Sequence, residues 1–293
     1  MEYEIGQGDR LGERRSNLDR VAAVENERDV MLVWADGVGG LAGGEAAAEI
    51  VVETARRCYE EARRPVTEPG TLFRQIVAVA HRTVLDYGRR HAPPITPGTT
   101  GVFCLIQDNR ASWGHVGDSR LYVFRNGLPL YRTEDHSYVE SLYRRGMISR
   151  REQESHPMRN HITQCIGCQS QAPEVSLSKT TALHPGDVVL LCSDGLWGAL
   201  DDAQMGALLR HDGLDAVMDR MAERAERASY PSSDNISVLA LRLSAALERD
   251  EGERPPRQSP CEQRNRLDDK DKLQSAIDRI EQAIEEYRGE MKE

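Results

Sequence analysis

At 293 residues the chain is long enough to bury a sizeable core, and one large domain with an appendage is the expected organisation. A net charge of −10 argues against a nucleic-acid binder, because phosphate backbones are held by basic surface. No apolar run approaches a membrane span, and Met1-Glu2-Tyr3-Glu4 lacks the pattern of a signal peptide, so a cytoplasmic protein without membrane partners is expected.

Residues 5–20 are rich in glycine and charge, and a short strand is expected from Val21-Ala22-Ala23-Val24. The apolar run Val30-Met31-Leu32-Val33-Trp34-Ala35 reads as a buried strand. It ends in Asp36-Gly37-Val38-Gly39-Gly40, where the strand fixes a carboxylate and the glycines let backbone carbonyls approach a ligand. Glu45 opens a helix with Ala47, Val51, Ala55, Cys58 and Ala62 on one face. A second helix buries Phe73, Ile76, Val77, Ala80, Val84 and Tyr87.

Pro93-Pro94 closes the second helix, and three strands follow: Thr100 to Ile106, Ala111 to Val116 and Arg120 to Phe124. Asp108-Asn109 and Gly117-Asp118 are turn residues at hairpin spacing between them, and Asn126-Gly127 is the next turn. From Thr133 to about Gly167 the pattern is polar and irregular, with a helix around Val139 to Arg145 and the rest a surface excursion. Pro185-Gly186-Asp187 turns into the strand Val188 to Cys192, which runs into Ser193-Asp194-Gly195. Two helices follow, one after Asp201 and one carrying Leu214 to Ala225. A last strand, Ile236 to Leu243, is preceded by Ser233-Asp234-Asn235. Strand-rich and helix-rich segments mixed in one domain indicate an α+β architecture over residues 1–245.

Residues 246–266 are charged, contain three prolines and read as a linker. Over 267–293, Leu273, Ile277, Ile280, Ile284 and Tyr287 mark one helical stripe. It is either a coiled-coil seam joining two chains or a helix docked on its own domain.

Asp36, Asp194 and Asp234 each stand at a strand end. One Asp-Gly or Asp-Asn is ordinary turn chemistry, but three carboxylates so placed point to a hard-cation site of the Mg²⁺ or Mn²⁺ type. The six cysteines are scattered, and reduced thiols are expected. His156, His161, Cys165 and Cys168 are zinc-ligand types at tolerable spacing, though a single cysteine pair is a weak zinc signal.

In order, the chain carries Gly12-Glu13-Arg14-Arg15-Ser16-Asn17-Leu18-Asp19, Asp36-Gly37-Val38-Gly39-Gly40 with Gly44-Glu45, and Gly98-Thr99-Thr100. Gly117-Asp118-Ser119-Arg120-Leu121-Tyr122, Glu134-Asp135-His136-Ser137, Ser193-Asp194-Gly195 and Asp234-Asn235 follow. This set resembles the metal-dependent protein phosphatase family, protein phosphatase 2C, in its compact bacterial form, over about residues 5–244. The resemblance implies two antiparallel sheets packed face to face, helices on the outer faces, and a binuclear metal centre at one end. Asp36 would bridge two Mn²⁺ or Mg²⁺ ions, the Gly37 carbonyl would bind one, and Asp194 and Asp234 would complete the other. Asp118 would serve a third ion, Asp19 would hold metal-bound waters, and Arg14 would bind the substrate phosphate. The implied activity is hydrolysis of phosphoserine and phosphothreonine on proteins by metal-activated water, opposing a Ser/Thr kinase.

Within that resemblance, residues 156–167 would form a flap bordering the active site, His136 would support a turn, and Arg120 would brace the loop of Asp118. The chain departs from the family pattern at Leu18, where a Glu is usual, and at Val38, where many animal and plant members have His. Leu18 motivates one competing reading, a phosphatase-like regulator that acts by binding a partner. The C-terminal stripe motivates another, an assembly component that dimerises through 267–293.

Overall fold

The computed structural model describes residues 1–211 and 213–244. The apolar run around Trp34 forms β3 (Asp29–Asp36), and its two faces meet different cores. Val30, Leu32 and Trp34 point into the space between two sheets, whereas Met31, Val33 and Ala35 point outward under a helical layer. Burial on both faces explains why this strand reads as continuous apolar sequence rather than as alternation.

One sheet contains, in spatial order, β1 (Tyr3–Arg10), β11 (Ile236–Leu243), β10 (Val188–Cys192), β6 (Arg120–Arg125) and β7 (Leu128–Arg132). The other runs β2 (Asp19–Glu25), β3, β4 (Gly101–Gln107), β5 (Arg110–Val116) and β8 (Ser176–Leu177), with β9 (Thr181–Ala182) also on β5. Every pairing is antiparallel. Helices α1 (Gly44–Glu61) and α2 (Pro69–Arg89) cover the β3 and β4 face through Ile50, Phe73, Ile76 and Phe103. The opposite sheet carries α5 (Asp194–Trp197), α6 (Asp202–Leu208) and α7 (Leu214–Ser229), packed on Tyr122, Leu190 and Val238. The expected four-layer α-β-β-α sandwich is therefore present. The surface excursion carries α3 (Tyr138–Arg144) and α4 (Arg150–Ser155), capped by the side chains of Ser137 and Ser149.

The β1 strand lies where only glycine and charge were evident in the sequence. A Cβ on Gly6 would fall 2.6 Å from the Leu214 backbone, and one on Gly8 2.5 Å from that of Met218. The glycines thus let the strand lie directly against α7, a contact invisible to any local hydrophobic pattern. The linker over 246–266 and the helix over 267–293 lie outside the described residues.

Candidate metal centre

Antiparallel register brings the ends of several strands to the same edge of the sandwich. Asp19, the first residue of β2, pairs across with Asp36, the last of β3. Cys192 at the end of β10 is level with Arg120 of β6 and Val238 of β11, so Asp118, Asp194 and Asp234 all project from that edge. Five carboxylates from separate stretches of chain thus converge.

The backbone around Asp36 is tied down on both sides. Thr100 Oγ1 accepts from the Asp36 N–H at 3.0 Å, and the Asp36 carbonyl accepts from the Thr100 N–H and the Thr99 hydroxyl, each at 2.8 Å. Val38 N–H donates to the Gly98 carbonyl at 2.9 Å, and Gly37 N–H to that of Leu18 at 3.2 Å. A Cβ on Gly37 would lie 2.6 Å from the Gly44 backbone, so only glycine permits the loop to close on the start of α1.

Around Asp118, Gly117 N–H donates to His136 Nδ1 at 3.1 Å, and Trp197 Nε1 donates to the Asp118 carbonyl at 3.1 Å. Arg120 forks onto Asp135 at 2.8 and 2.7 Å and lies over the Trp197 ring at 3.7 Å. Around Asp234, Asn235 reaches back across the sheet. Its Oδ1 accepts from Leu18 N–H at 2.9 Å, and its Nδ2 donates to the Leu11 carbonyl at 3.0 Å. Arg14 donates to Asp234 Oδ2 at 2.6 Å.

Among the described residues, Asp234 is the one of these carboxylates held in an ion pair. Loss of bulk water, followed by repulsion from Asp19, Asp194, Asp118 and Asp234, pushes the Asp36 carboxyl well above its ordinary value. Asp118 moves the same way through burial and then Asp194. Burial pushes Asp19 up to about 7 and Asp194 up to about 6, with other carboxylates of the cluster adding to both. Both Asp19 oxygens are buried without a hydrogen-bond partner. Such a donor set suits a hard divalent cation, which would neutralise the repulsion, with water joining the orphaned oxygens. Among the described residues, no three Asp, Glu, His or Cys side chains are already gathered into a cage for one ion. Arg14 holds Asp234 instead. A groove of about 810 Å³ elsewhere, lined by Trp113, His115, Tyr131, Arg132 and Lys179 among others, contains none of these carboxylates.

The family profile of protein phosphatase 2C matches residues 10–247. The chain belongs to the protein phosphatase 2C family. A serine/threonine phosphatase from Listeria innocua is 30% identical over 232 residues, 78% of this chain and 90% of that protein. Protein phosphatase PhpP from Streptococcus pneumoniae is 30% identical over 239 residues, 80% of this chain and 95% of that protein. The solved serine/threonine phosphatase of S. agalactiae superposes with a TM-score of 0.76 at 29% identity, covering 83% of this chain and 100% of that one.

Asp19, Asp36, Gly37, Asp118, Asp194, Asp234 and Arg14 all lie at the same end of this protein phosphatase 2C fold. The positioning groups Thr99, Thr100 and Asn235 were present in the quoted motifs but carried no assigned role, because their bonds span 63 or more residues of chain. His136 supports the Gly117–Asp118 turn through Nδ1 and meets Ser176 Oγ through Nε2 at 2.8 Å. Burial, then the neighbouring His115, pushes its pKa down to about 4, so the ring is neutral at physiological pH.

The expectation of reduced cysteines is corrected at one place: Cys165 and Cys168 are joined as a disulfide. That bond occupies both thiols of the His156, His161, Cys165, Cys168 set, and His156 Nδ1 accepts from Met158 N–H at 3.1 Å. Cys58, Cys104 and Cys192 are buried in three different core clusters.

Proposed function

We propose that this protein phosphatase 2C member hydrolyses phosphoserine and phosphothreonine on proteins, with Asp36, Asp194, Asp234 and the Gly37 carbonyl holding two Mn²⁺ or Mg²⁺ ions and Asp118 a third. The observation that carries the reading is the convergence of Asp19, Asp36, Asp118 and Asp194 with their carboxyls raised and, among the described residues, no ion pair to any of the four. When bound, divalent ions supply a water acidified toward neutral pH and positive charge beside the phosphoryl oxygens.

The chain's own residues divide the remaining work. Arg14 is half-exposed and sits over the glycine loop, 3.8 Å from where a Gly39 Cβ would be. Once Asp234 is otherwise engaged, its guanidinium is free to fork onto a phosphate and orient it. Asp19, whose two oxygens are buried without a partner, would accept hydrogen bonds from ordered water there. Thr99 and Thr100 keep the Asp36–Gly37 backbone from moving as charge develops at the substrate. Valine at 38 supplies no proton, and both ring nitrogens of His136 are engaged, so neither serves as an acid for the leaving oxygen.

A phosphoprotein is the substrate class of this reading, and a Ser/Thr kinase the expected opposing enzyme. A helix over 267–293 would add dimerisation, which deletion of that segment tests by light scattering. No helix among the described residues is long and apolar enough to cross a membrane. The deciding experiment is turnover of a phosphothreonine peptide, wild type against Asp194→Asn, titrated with Mn²⁺ and EDTA. Metal-dependent turnover in the wild type, abolished in the variant, is expected. A wild type inert at every Mn²⁺ concentration, or a variant as active as wild type, would sink the proposal.

A further inference from the structure

The sequence Cys165-Ile166-Gly167-Cys168 has no part in the chemistry above, yet it closes directly on the segment that holds Asp36. Ile166 and Thr99 exchange both backbone hydrogen bonds, Thr99 N–H to Ile166 O at 3.0 Å and Ile166 N–H to Thr99 O at 2.8 Å. Thr99 and Thr100 in turn hold the Asp36 carbonyl. Gly167 N–H donates to the buried His81 Nδ1 at 3.0 Å, seating the loop on α2. A Cβ on Gly98 would meet Cys168 Sγ at 2.5 Å, so the sulfur rests against the backbone that accepts from Val38. The two Cα atoms are 5.6 Å apart, within the range a disulfide spans. Cys165 is buried and Cys168 partly exposed, which gives one sulfur an oxidant can reach and one beside it that resolves the product.

We propose that Cys165 and Cys168 are a reversible oxidation site, a dithiol–disulfide couple addressed by peroxides, whose disulfide form clamps Ile166 on Thr99 and steadies the Asp36 backbone. The Cys168 thiolate attacks one peroxide oxygen, the O–O bond breaks, and hydroxide leaves to take up a proton as water. The Cys165 thiolate then attacks the resulting sulfenic sulfur, the S–S bond forms, and a second hydroxide leaves as water. Two thiols lose two electrons and two protons, and the peroxide is reduced to two waters. A small dithiol reverses the reaction by exchange. In the reduced form the sulfurs no longer share a bond and need van der Waals separation in a loop packed against Gly98, so the Ile166–Thr99 bridge loosens.

The test uses the full chain and does not depend on phosphatase activity. After hydrogen peroxide treatment and quenching by alkylation, the tryptic peptide 160–179, which contains only these two cysteines, should lose the mass of two hydrogens and regain it with dithiothreitol. Hydrogen exchange at the Thr99 and Ile166 amides should then be about tenfold faster in the reduced protein than in the oxidised one. Cys168→Ser, at the more exposed sulfur, should remove the redox response while the thermal unfolding of the variant matches that of reduced wild type. Two wild-type results would each overturn the proposal: a peptide that stays reduced or proceeds to sulfinic acid under peroxide, and exchange that is identical in the two redox states.

Discussion

Two sets of buried and half-buried acids in this molecule behave in opposite ways. At one set, each carboxylate has a partner supplied by the fold. Asp135 receives the Arg120 fork, Asp187 receives Arg125 at 2.8 and 2.7 Å together with the His184 N–H, and Asp29 receives the Tyr59 hydroxyl. Burial pushes Asp187 upward, but the Arg125 fork, the His184 N–H and the charge of Arg125 together outweigh it and hold the carboxyl below its usual value. At the other set, Asp19, Asp36, Asp118 and Asp194 face mainly one another, and their carboxyls are raised. A fold that pairs its structural acids and leaves this cluster raised is what the proposed cation site requires.

The largest effects should come from neutralising an acid of one set and removing the partner of an acid in the other. Asp36→Asn should lower peptide turnover by roughly a thousandfold while leaving the metal-free melting temperature unchanged or higher. A variant that unfolds would put Asp36 among the structural acids. Conversely, Arg120→Met strands Asp135, which is 7% exposed, and should cost about 3–5 kcal/mol in urea unfolding. A loss below about 1 kcal/mol would show that Asp135 finds another partner.

Stability against pH separates the sets by sign. For Asp19 and Asp194 the folded values lie above the ordinary 3.8, at about 7 and about 6. Their protonated forms therefore favour folding, and metal-free stability should decline as pH rises from about 4 to about 7. Asp187 has the opposite sign: its contribution is present above about 3.8 and is lost as pH falls through its lowered folded value. Thermal scans of metal-free protein should show the neutral-side decline flattened in Asp19→Asn, and added Mn²⁺ should raise the melting temperature most at the alkaline end. A decline unaffected by Asp19→Asn would reject the assignment.

The smallest effect is expected at Thr100, which supports the cluster without belonging to it. Thr100→Val removes the bonds to Asp36 N–H and Ser119 Oγ and should reduce turnover about tenfold, at a stability cost of about 1 kcal/mol. Apparent Mn²⁺ affinity should weaken alongside. Unchanged turnover with reduced stability would make Thr100 a packing residue only.

What the sequence determined by itself was whatever local pattern can encode. Continuous apolar runs marked β3 and β10, helical stripes marked α1, α2 and α7, and turn residues marked the β4–β5–β6 meander. Motif order was enough to collect Arg14, Asp19, Asp36, Gly37, Asp118, Asp194 and Asp234 into one proposed site. Tertiary structure alone decided the rest, because the causes lie far apart in the chain. Gly6 and Gly8 belong to a strand because β11 pairs with them, and they are glycine because α7, more than 200 residues later, leaves no room for a side chain. Asn235 became a structural tie because its amide meets Leu11 and Leu18 across the sheet. Cys165 and Cys168 read as reduced thiols and a weak zinc signal, and only the fold lays the loop between them on Thr99; a carboxylate's counter-charge, or its lack of one, likewise exists only once separate strands have been brought to the same edge.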